Sequence, residues 1–222
     1  MASVKETFPG VFKVNGKLAT LNLVPGVKVY GETLVKTGGK EYRIWDPKRS
    51  KLGAAIIRGL KELAIKPGST VLYLGSANGT TASHVSDIVG DKGKVYCVEF
   101  SPQSMRDLLL LCEQRKNLYP VLADARLPDN YSEVGKVDVV YEDVADRDQT
   151  NILLRNIAAF KAKSFLIAIK ARCIDSMAPP KKVYSEQREK LLKQAMKIKE
   201  LIILDPFETD HCMITGETIA IC

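Results

Sequence analysis

With 222 residues and a formal charge of +7, the chain can bury one full α/β core and a small appendage without disulfide staples. Its five cysteines, Cys97, Cys112, Cys173, Cys212 and Cys222, are odd in number and widely spaced. That pattern excludes a disulfide framework and a C-x-x-C metal site, so no metal is expected and a reducing cytoplasm is the expected compartment. No apolar run reaches transmembrane length and no signal-type apolar core follows Met1, so no membrane role is expected, whereas the positive charge suits a polyanionic partner.

Residues 1–46 read as a small antiparallel β domain. Short alternating runs in "GVFKVNGKLATLNLVPG" and "KVYGETLVKTGGKEYRIW" are broken by "NG", "PG" and "GG" turns. Residues 1–52 hold ten Lys/Arg against four Asp/Glu, a net of +6. A basic face of this kind is either a solvated sheet surface or a dock for RNA or protein. The segment "WDPKRSKLGAAIIRGL" then leads into a second domain, residues 47–222. Pro47 discourages helix before it, and Ser50 is placed to cap a helix with Leu52, Ile56, Leu60 and Leu63 inward. Lys48, Arg49 and Lys51 gather at the positive end of that helix, where the dipole disfavours cations unless an anion docks nearby or solvent screens them.

The next stretch organises the rest. Thr70 to Leu74 is an apolar run ending at Gly75, as expected for a strand buried on both faces. "GSANG" turns at Gly75 and Gly79, Thr80 to Val89 forms a helix with Ala82, Val85, Ser86 and Val89 on one face, and Lys94 to Val98 is a second strand ending at Glu99. In parallel α/β sheets ligands bind beyond the carboxyl ends of the strands, where an acid after the second strand can accept ribose hydroxyls. The loop lacks the G-x-G-x-x-G order, which favours a nucleoside without pyrophosphate, S-adenosylmethionine (SAM), over NAD(P) or an α/β core with no ligand.

A βα rhythm follows. Ser101 caps a helix with Met105, Leu108, Leu109 and Cys112 inward; Leu118 to Ala123 is a strand delivering Asp124, a candidate acceptor for an adenine amino group. Val137 to Tyr141 is a strand with Asp143 just past its end, and Asp148 is placed to cap a helix with Ile152, Leu153, Ile157 and Phe160 inward. Lys163 to Ile169 is a strand that delivers Lys170 to the edge shared by Glu99 and Asp143. After Pro179 and Pro180 a helix is expected from Tyr184 to about Lys199, with Leu191, Leu192, Ala195 and Met196 inward. Strands Leu201 to Leu204 and Met213 to Ile221 close the chain around a turn at Pro206 to His211. Lys51, Asp143, Lys170 and His211 thus all fall at element ends.

Six segments together resemble the archaeal fibrillarins, the SAM-dependent RNA 2'-O-methyltransferases of box C/D ribonucleoproteins. They are "YRIWDPKRSKLGAAI" (42–56), "VLYLGSANGTTASHVSDIVG" (71–90), "GKVYCVEFSP" (93–102), "VDVVYEDVADRDQ" (137–149), "IKARCID" (169–175) and "LDPFETDHCMITG" (204–216). The resemblance implies a Rossmann-like methyltransferase fold behind a small antiparallel β domain. It places a catalytic tetrad at Lys51, Asp143, Lys170 and His211. It places the SAM site at Gly75, Ala77, Thr80, Thr81, Glu99, Phe100, Asp124, Ala125, Asp143 and Gln149. Lys170 would be the base or orienting group for a ribose hydroxyl, Asp143 would hold Lys170 and the methyl donor in place, Lys51 would hold a phosphate or ribose oxygen, and His211 would orient the ribose or relay its proton. The implied partners are a Nop5-type scaffold protein, a box C/D guide RNA, an L7Ae-type kink-turn protein, and target ribosomal and transfer RNA. The nearest enzymatic rival is a protein carboxyl methyltransferase, since residues 75–99 also resemble isoaspartyl repair enzymes; the Lys170 segment and the C-terminal histidine argue against it. A basic assembly subunit without activity is the non-enzymatic alternative.

Overall fold

A computed structural model describes residues 2–219. The first 44 residues supply β1 (Val4–Phe8), β2 (Val11–Val14), β3 (Lys17–Leu21), β4 (Leu34–Thr37) and β5 (Lys40–Ile44), which pair antiparallel in the order β1-β2-β3-β5-β4. A short 3-10 turn, Pro47–Arg49, leads to α1 (Lys51–Ile57), whose Ser50 cap accepts the Gly53 N–H at 3.2 Å.

Seven strands form the main sheet: β6 (Thr70–Leu74), β7 (Lys94–Glu99), β8 (Leu118–Leu122), β9 (Val139–Glu142), β10 (Ser164–Lys170), β11 (Met196–Ile203) and β12 (His211–Thr218). Their order is β11-β12-β10-β9-β6-β7-β8, with β12 antiparallel to both of its neighbours. The chain winds outward from β6 to β8, then jumps back to β9, so a crevice opens at the carboxyl ends of β6 and β9 where the order reverses. Helices α2 (Thr80–Val89), α3 (Pro102–Gln114), α4 (Gln149–Phe160), the short α5 (Ala171–Ile174) and α6 (Pro180–Lys193) complete the molecule.

Successive strand residues point to opposite faces, and both faces are covered. Val71 and Tyr73 pack in one core with residues of α1, α2 and α3 and with Val11 and Leu18 of the small sheet, while Leu72 and Leu74 pack in the other with residues of α4 and α6. This double burial is why β6 reads as an uninterrupted apolar run. The small sheet is joined to α2 by a buried ionic cluster: Arg43 donates to Glu32 at 2.6 Å and to Asp87 at 2.8 Å, and Arg115 donates to Asp87 at 2.6 Å.

Several element boundaries differ from expectation for identifiable reasons. α1 stops at Ile57 because Gly59 adopts φ +104°, so Leu60 and Leu63 are buried from a loop rather than from a helix face. On α3 the inward residues are Met105, Leu108 and Leu111; Leu109 is exposed. Asp148 stands at the start of α4 without capping it, its carboxylate being taken by the side chains of Asn151 and Arg155. α6 begins at Pro180, which suits a first helical turn, and ends at Lys193, with Ala195 at φ +55° reversing the chain into β11. Met196 and Ile198 therefore obey period two and pair with Thr218 and Gly216, and Leu192 is exposed. β12 starts at His211, two residues earlier than expected; the expected continuation through residues 220–221, and Cys222, lie outside the described residues.

Candidate active site at the carboxyl edge of the sheet

The loop after β6 makes three left-handed residues in five, Gly75 at φ +77°, Ala77 at φ +49° and Gly79 at φ +88°. At Gly75 the need is steric as well: a Cβ there would lie 2.7 Å from the Asp143 carbonyl oxygen, so the first turn presses directly on the end of β9. Glu99, ending β7, braces the same loop. One carboxylate oxygen accepts the Ala77 N–H at 2.8 Å and the other accepts the Ser101 N–H at 2.7 Å. Each oxygen keeps a lone pair for a further donor.

These elements bound a cavity of about 390 Å³, in the size range of small-ligand sites. Gly75, Ala77, Glu99, Phe100, Asp124, Ala125 and Asp143, all expected in the cofactor site, line it together with Lys170, expected in the tetrad. Phe100 is 71% exposed, too open for a core residue and free to lie against a planar ligand. Asp124 forms a fork with Arg126, at 3.0 Å to Nε and 2.6 Å to Nη2. Sequence reasoning missed Val98, Ala123, Arg126, Val144, Ala145, Asp146 and Ile152 as lining residues. "DVAD" after β9 was the available signal, because a residue three beyond Asp143 still lies on the loop leaving the strand end.

Three of the expected cavity residues stand elsewhere. Thr80 borders a separate cleft with Asn78 and Asp107. Thr81 is buried and donates its hydroxyl to Ser50 at 2.9 Å, tying the start of α2 to the cap of α1. Gln149 is buried beneath the edge, its carbonyl accepting the Lys170 N–H at 3.1 Å.

Asp143 gathers the lysines. Lys51 Nζ lies 3.2 Å and Lys170 Nζ 3.0 Å from its Oδ1, with side chains 16%, 13% and 16% exposed for Lys51, Asp143 and Lys170. Hydrogen-bond geometry is met from Lys51 to Oδ2 at 3.3 Å and from Lys170 to the Asp143 carbonyl at 3.1 Å. Lys51 arrives from the first turn of α1, 92 residues upstream, and the packing of α1 over the sheet is what delivers it. His211 is cross-strand partner to Lys170 at the end of the β10/β12 pair, with Nδ1 2.6 Å from the Thr209 carbonyl. His211 is thus beside the lysine cluster without bonding to it. Just below, Glu142 is buried with neither carboxyl oxygen bonded; burial, then the charges of Asp143 and Asp146, push it well above the carboxylate range. Among the described residues no cluster of three or more His, Cys, Asp or Glu is placed to hold a metal ion, and no helix is long and apolar enough to cross a membrane.

Comparison with known proteins agrees with this arrangement. The family model described as Fibrillarin matches residues 2–220. A "Fibrillarin-like rRNA/tRNA 2'-O-methyltransferase" of Thermococcus onnurineus is 52% identical over 217 residues, covering 94% of this chain and 96% of the relative. The Aeropyrum pernix fibrillarin, solved with natively bound S-adenosyl-L-methionine, superposes with a TM-score of 0.86 at 44% identity, covering 97% of this chain and 100% of that one. The fibrillarin of a solved fibrillarin/Nop5p complex gives 0.88 at 39% identity, with coverage of 97% and 100%. The Rossmann-like methyltransferase fold behind an antiparallel β domain is the fold these proteins share. By sequence over nearly its whole length and by fold, the chain belongs to the fibrillarin family.

Proposed function

We propose that the protein is a SAM-dependent methyltransferase that modifies ribose 2'-hydroxyls of ribosomal RNA as the catalytic subunit of a box C/D ribonucleoprotein. The observation that carries this reading is the pair of lysines converging on Asp143, itself part of the lining of a cavity that Glu99 also lines. The cavity fits SAM: a braced acid for ribose hydroxyls, an exposed aromatic ring, an apolar floor at Val98, Ala125 and Ile152, and acids at Asp143 and Asp146 for an ammonium group. The relative solved with this molecule supports the choice. Bound there, SAM supplies an electrophilic methyl carried on a positive sulfonium.

The chain's own residues do the rest. Glu99, Phe100, Asp124 and Ala125 hold the nucleoside end. Asp143, fixed by two cations, keeps Lys170 from swinging away from the strand end, and Lys170 orients the acceptor hydroxyl and receives or relays its proton. Lys51 presents its remaining N–H donors to a phosphate or ribose oxygen of the acceptor. His211, one strand over, orients the ribose from the side. Thr81 and Gln149 act behind the site, the first by fixing Ser50 at the head of α1 and the second by holding the Lys170 backbone.

Nothing in the chain resembles a module for reading bases, so target choice falls to a guide RNA by pairing, with a Nop5-type scaffold and an L7Ae-type protein completing the particle and transfer RNA as a second acceptor class. The solved complex of a relative with Nop5p supports the scaffold. Such a particle would work in the cytoplasm of a cell without a nucleus. Mapping the methylated nucleotide on one RNA with two register-shifted guides tests the reading: the position should move with the guide, and efficient methylation at one fixed position by the lone protein would overturn guide dependence.

A further inference from the structure

The four acids among the first 52 residues are all engaged internally. Glu6 accepts the Gly10 N–H, Glu32 is tied to Arg43, Glu41 takes donors from Asn22, Gly26 and Lys36, and Asp46 accepts the Lys48 N–H. Lys17, Lys28, Lys48 and Arg49 have no carboxylate within salt-bridge distance among the described residues. The positive charge of this end is therefore presented to solvent.

One member is preorganised. The Arg49 guanidinium stands 5.1 Å from the centroid of the Tyr30 ring, and the Tyr30 hydroxyl is itself anchored to His84 at 2.8 Å. Stacking restrains the planar group while its N–H edges remain unspent, the arrangement that suits bidentate phosphate binding. Arg49 and Tyr30 form the shared wall of two clefts, one of about 500 Å³ that contains Lys17 and one of about 600 Å³ that contains Lys28. The acids bordering them, Glu32 and Asp46 in the first and Asp107 in the second, are all bonded within the fold, the last to Asn78. Arg49 also stands two residues before Lys51, on the turn that leads into α1.

We propose that Arg49, stacked on Tyr30, is a phosphate anchor for the acceptor RNA strand, which crosses the ridge between the two clefts on its way to Lys51 and Lys170. This inference rests on the reading of the site as an RNA methyltransferase. Phosphate contact sets register and affinity without reading sequence, which fits a protein whose target is chosen by pairing.

The test uses the full chain with Arg49→Ala and Arg49→Lys, and with Lys92→Ala as a control that removes one exposed charge at the opposite end of the sheet. Binding of a short mixed-sequence single-stranded RNA is measured across salt concentrations, together with SAM affinity and, in the assembled particle, KM for RNA and kcat. Arg49→Ala should weaken RNA binding about 10-fold at low salt and lower the slope of log K against log salt by about 0.7, one phosphate contact on a single strand. KM should rise with kcat and SAM affinity unchanged, and Arg49→Lys should fall between, keeping charge but losing the fork. An Arg49→Ala protein indistinguishable from Lys92→Ala, or one whose kcat falls while RNA affinity holds, overturns the anchor. If the wild-type particle transfers no methyl to RNA, the underlying reading fails as well; if it does transfer, those two results condemn the anchor alone.

Discussion

Asp87 and Asp143 each lie between two cations, yet the first is bonded to Arg43 and Arg115 at 2.8 and 2.6 Å with every side chain at most 1% exposed, whereas the second meets Lys51 and Lys170 at 3.2 and 3.0 Å with 13–16% exposure. The guanidinium groups of the first cluster cannot release a proton, and each spreads its donors over several partners, Arg43 over Glu32, Asp87 and Ser83 and Arg115 over Asp87 and Ser86. The ammonium groups of the second are compact, rotatable and open on one side. Residue type and burial together separate a junction that ties the small sheet to α2 from an edge that is open to a ligand. His84 belongs with the junction: Thr20 donates to Asp87 at 2.7 Å and meets His84 Nδ1 at 2.8 Å, and burial, reinforced by Arg43 and Arg115, holds His84 well below its ordinary range.

The largest expected effect breaks the junction. Asp87→Ala leaves two buried guanidinium groups short of their shared carboxylate and should cost about 3–5 kcal/mol of stability, read from denaturant unfolding. A loss under 1 kcal/mol would show that the cluster is not what joins the small sheet to α2. The same junction predicts acid sensitivity in two steps. A histidine whose folded pKa is depressed contributes stability that is present above its unfolded value and is lost as pH falls below about 6.5. Glu32 adds a second loss at lower pH: burial raises its pKa, but hydrogen bonds from the Tyr30 and Val29 amides and the charge of Arg43 outweigh that and hold it below the usual range. His84→Gln should remove the first step from the unfolding profile while leaving the second.

At the open cluster, Lys170→Ala should leave the fold and SAM binding intact and cut methyl transfer in the assembled particle by about 10²–10⁴-fold. Raising the pH should not restore it, because alignment is lost along with the proton acceptor. Transfer near the wild-type rate would remove Lys170 from the chemistry.

How much of this contrast could be read from the chain depended on distance along it. β6, α2 and Glu99 were legible because their signals are local: a doubly buried run, a glycine turn, and an acid at a strand end. The lysine cluster was legible as an order of element ends, with the resemblance supplying its membership. The junction was not, since Arg43, Asp87 and Arg115 look like surface charges until α2 is packed against β3. The misplacement of α6 has another cause. "MKIKELII" carries a period-two pattern that became decisive only once β12 offered it a partner, and the preceding helix masked the change of period at Ala195.

A smaller effect concerns the brace that Glu99 gives the loop after β6. Glu99→Ala should weaken SAM binding by about 1–3 kcal/mol, the scale of a charge-assisted hydrogen bond to a ribose hydroxyl. Part of that loss should come from the loop itself, because the Ala77 N–H would lose its acceptor where the backbone is already left-handed. Glu99→Gln separates the two contributions: its amide oxygen can keep one backbone bond while the charge is gone. Calorimetry showing unchanged affinity in both folded variants would exclude Glu99 from the ribose site.

The effect that is smallest near pH 5, and grows only as pH rises, concerns the acid that has no cation. Glu142 lies next to Asp143 on β9, faces the core shared with α4 and α6, and neither of its oxygens has a hydrogen-bond partner. Burial and two neighbouring carboxylates keep it protonated in the folded protein well above the pH at which the unfolded chain would ionise. The sign of the linkage is then opposite to that of Glu32: the contribution is fully present below about pH 4.5 and is lost as pH rises, by at most about 1.4 kcal/mol per pH unit. Glu142→Gln keeps the shape, never ionises in either state, and trades an unpaired hydroxyl for an unpaired amide. Near pH 5 its stability should lie within about 1 kcal/mol of wild type, since the two side chains are then both neutral and nearly isosteric. Between pH 5 and 8 the variant should gain steadily on wild type, while the Asp143 cluster, untouched, keeps its methyl-transfer activity. Parallel stability curves for the two proteins across that range would mean that Glu142 ionises in the fold as it does in the unfolded chain, and would make the edge of the sheet more anionic than its two lysines can balance.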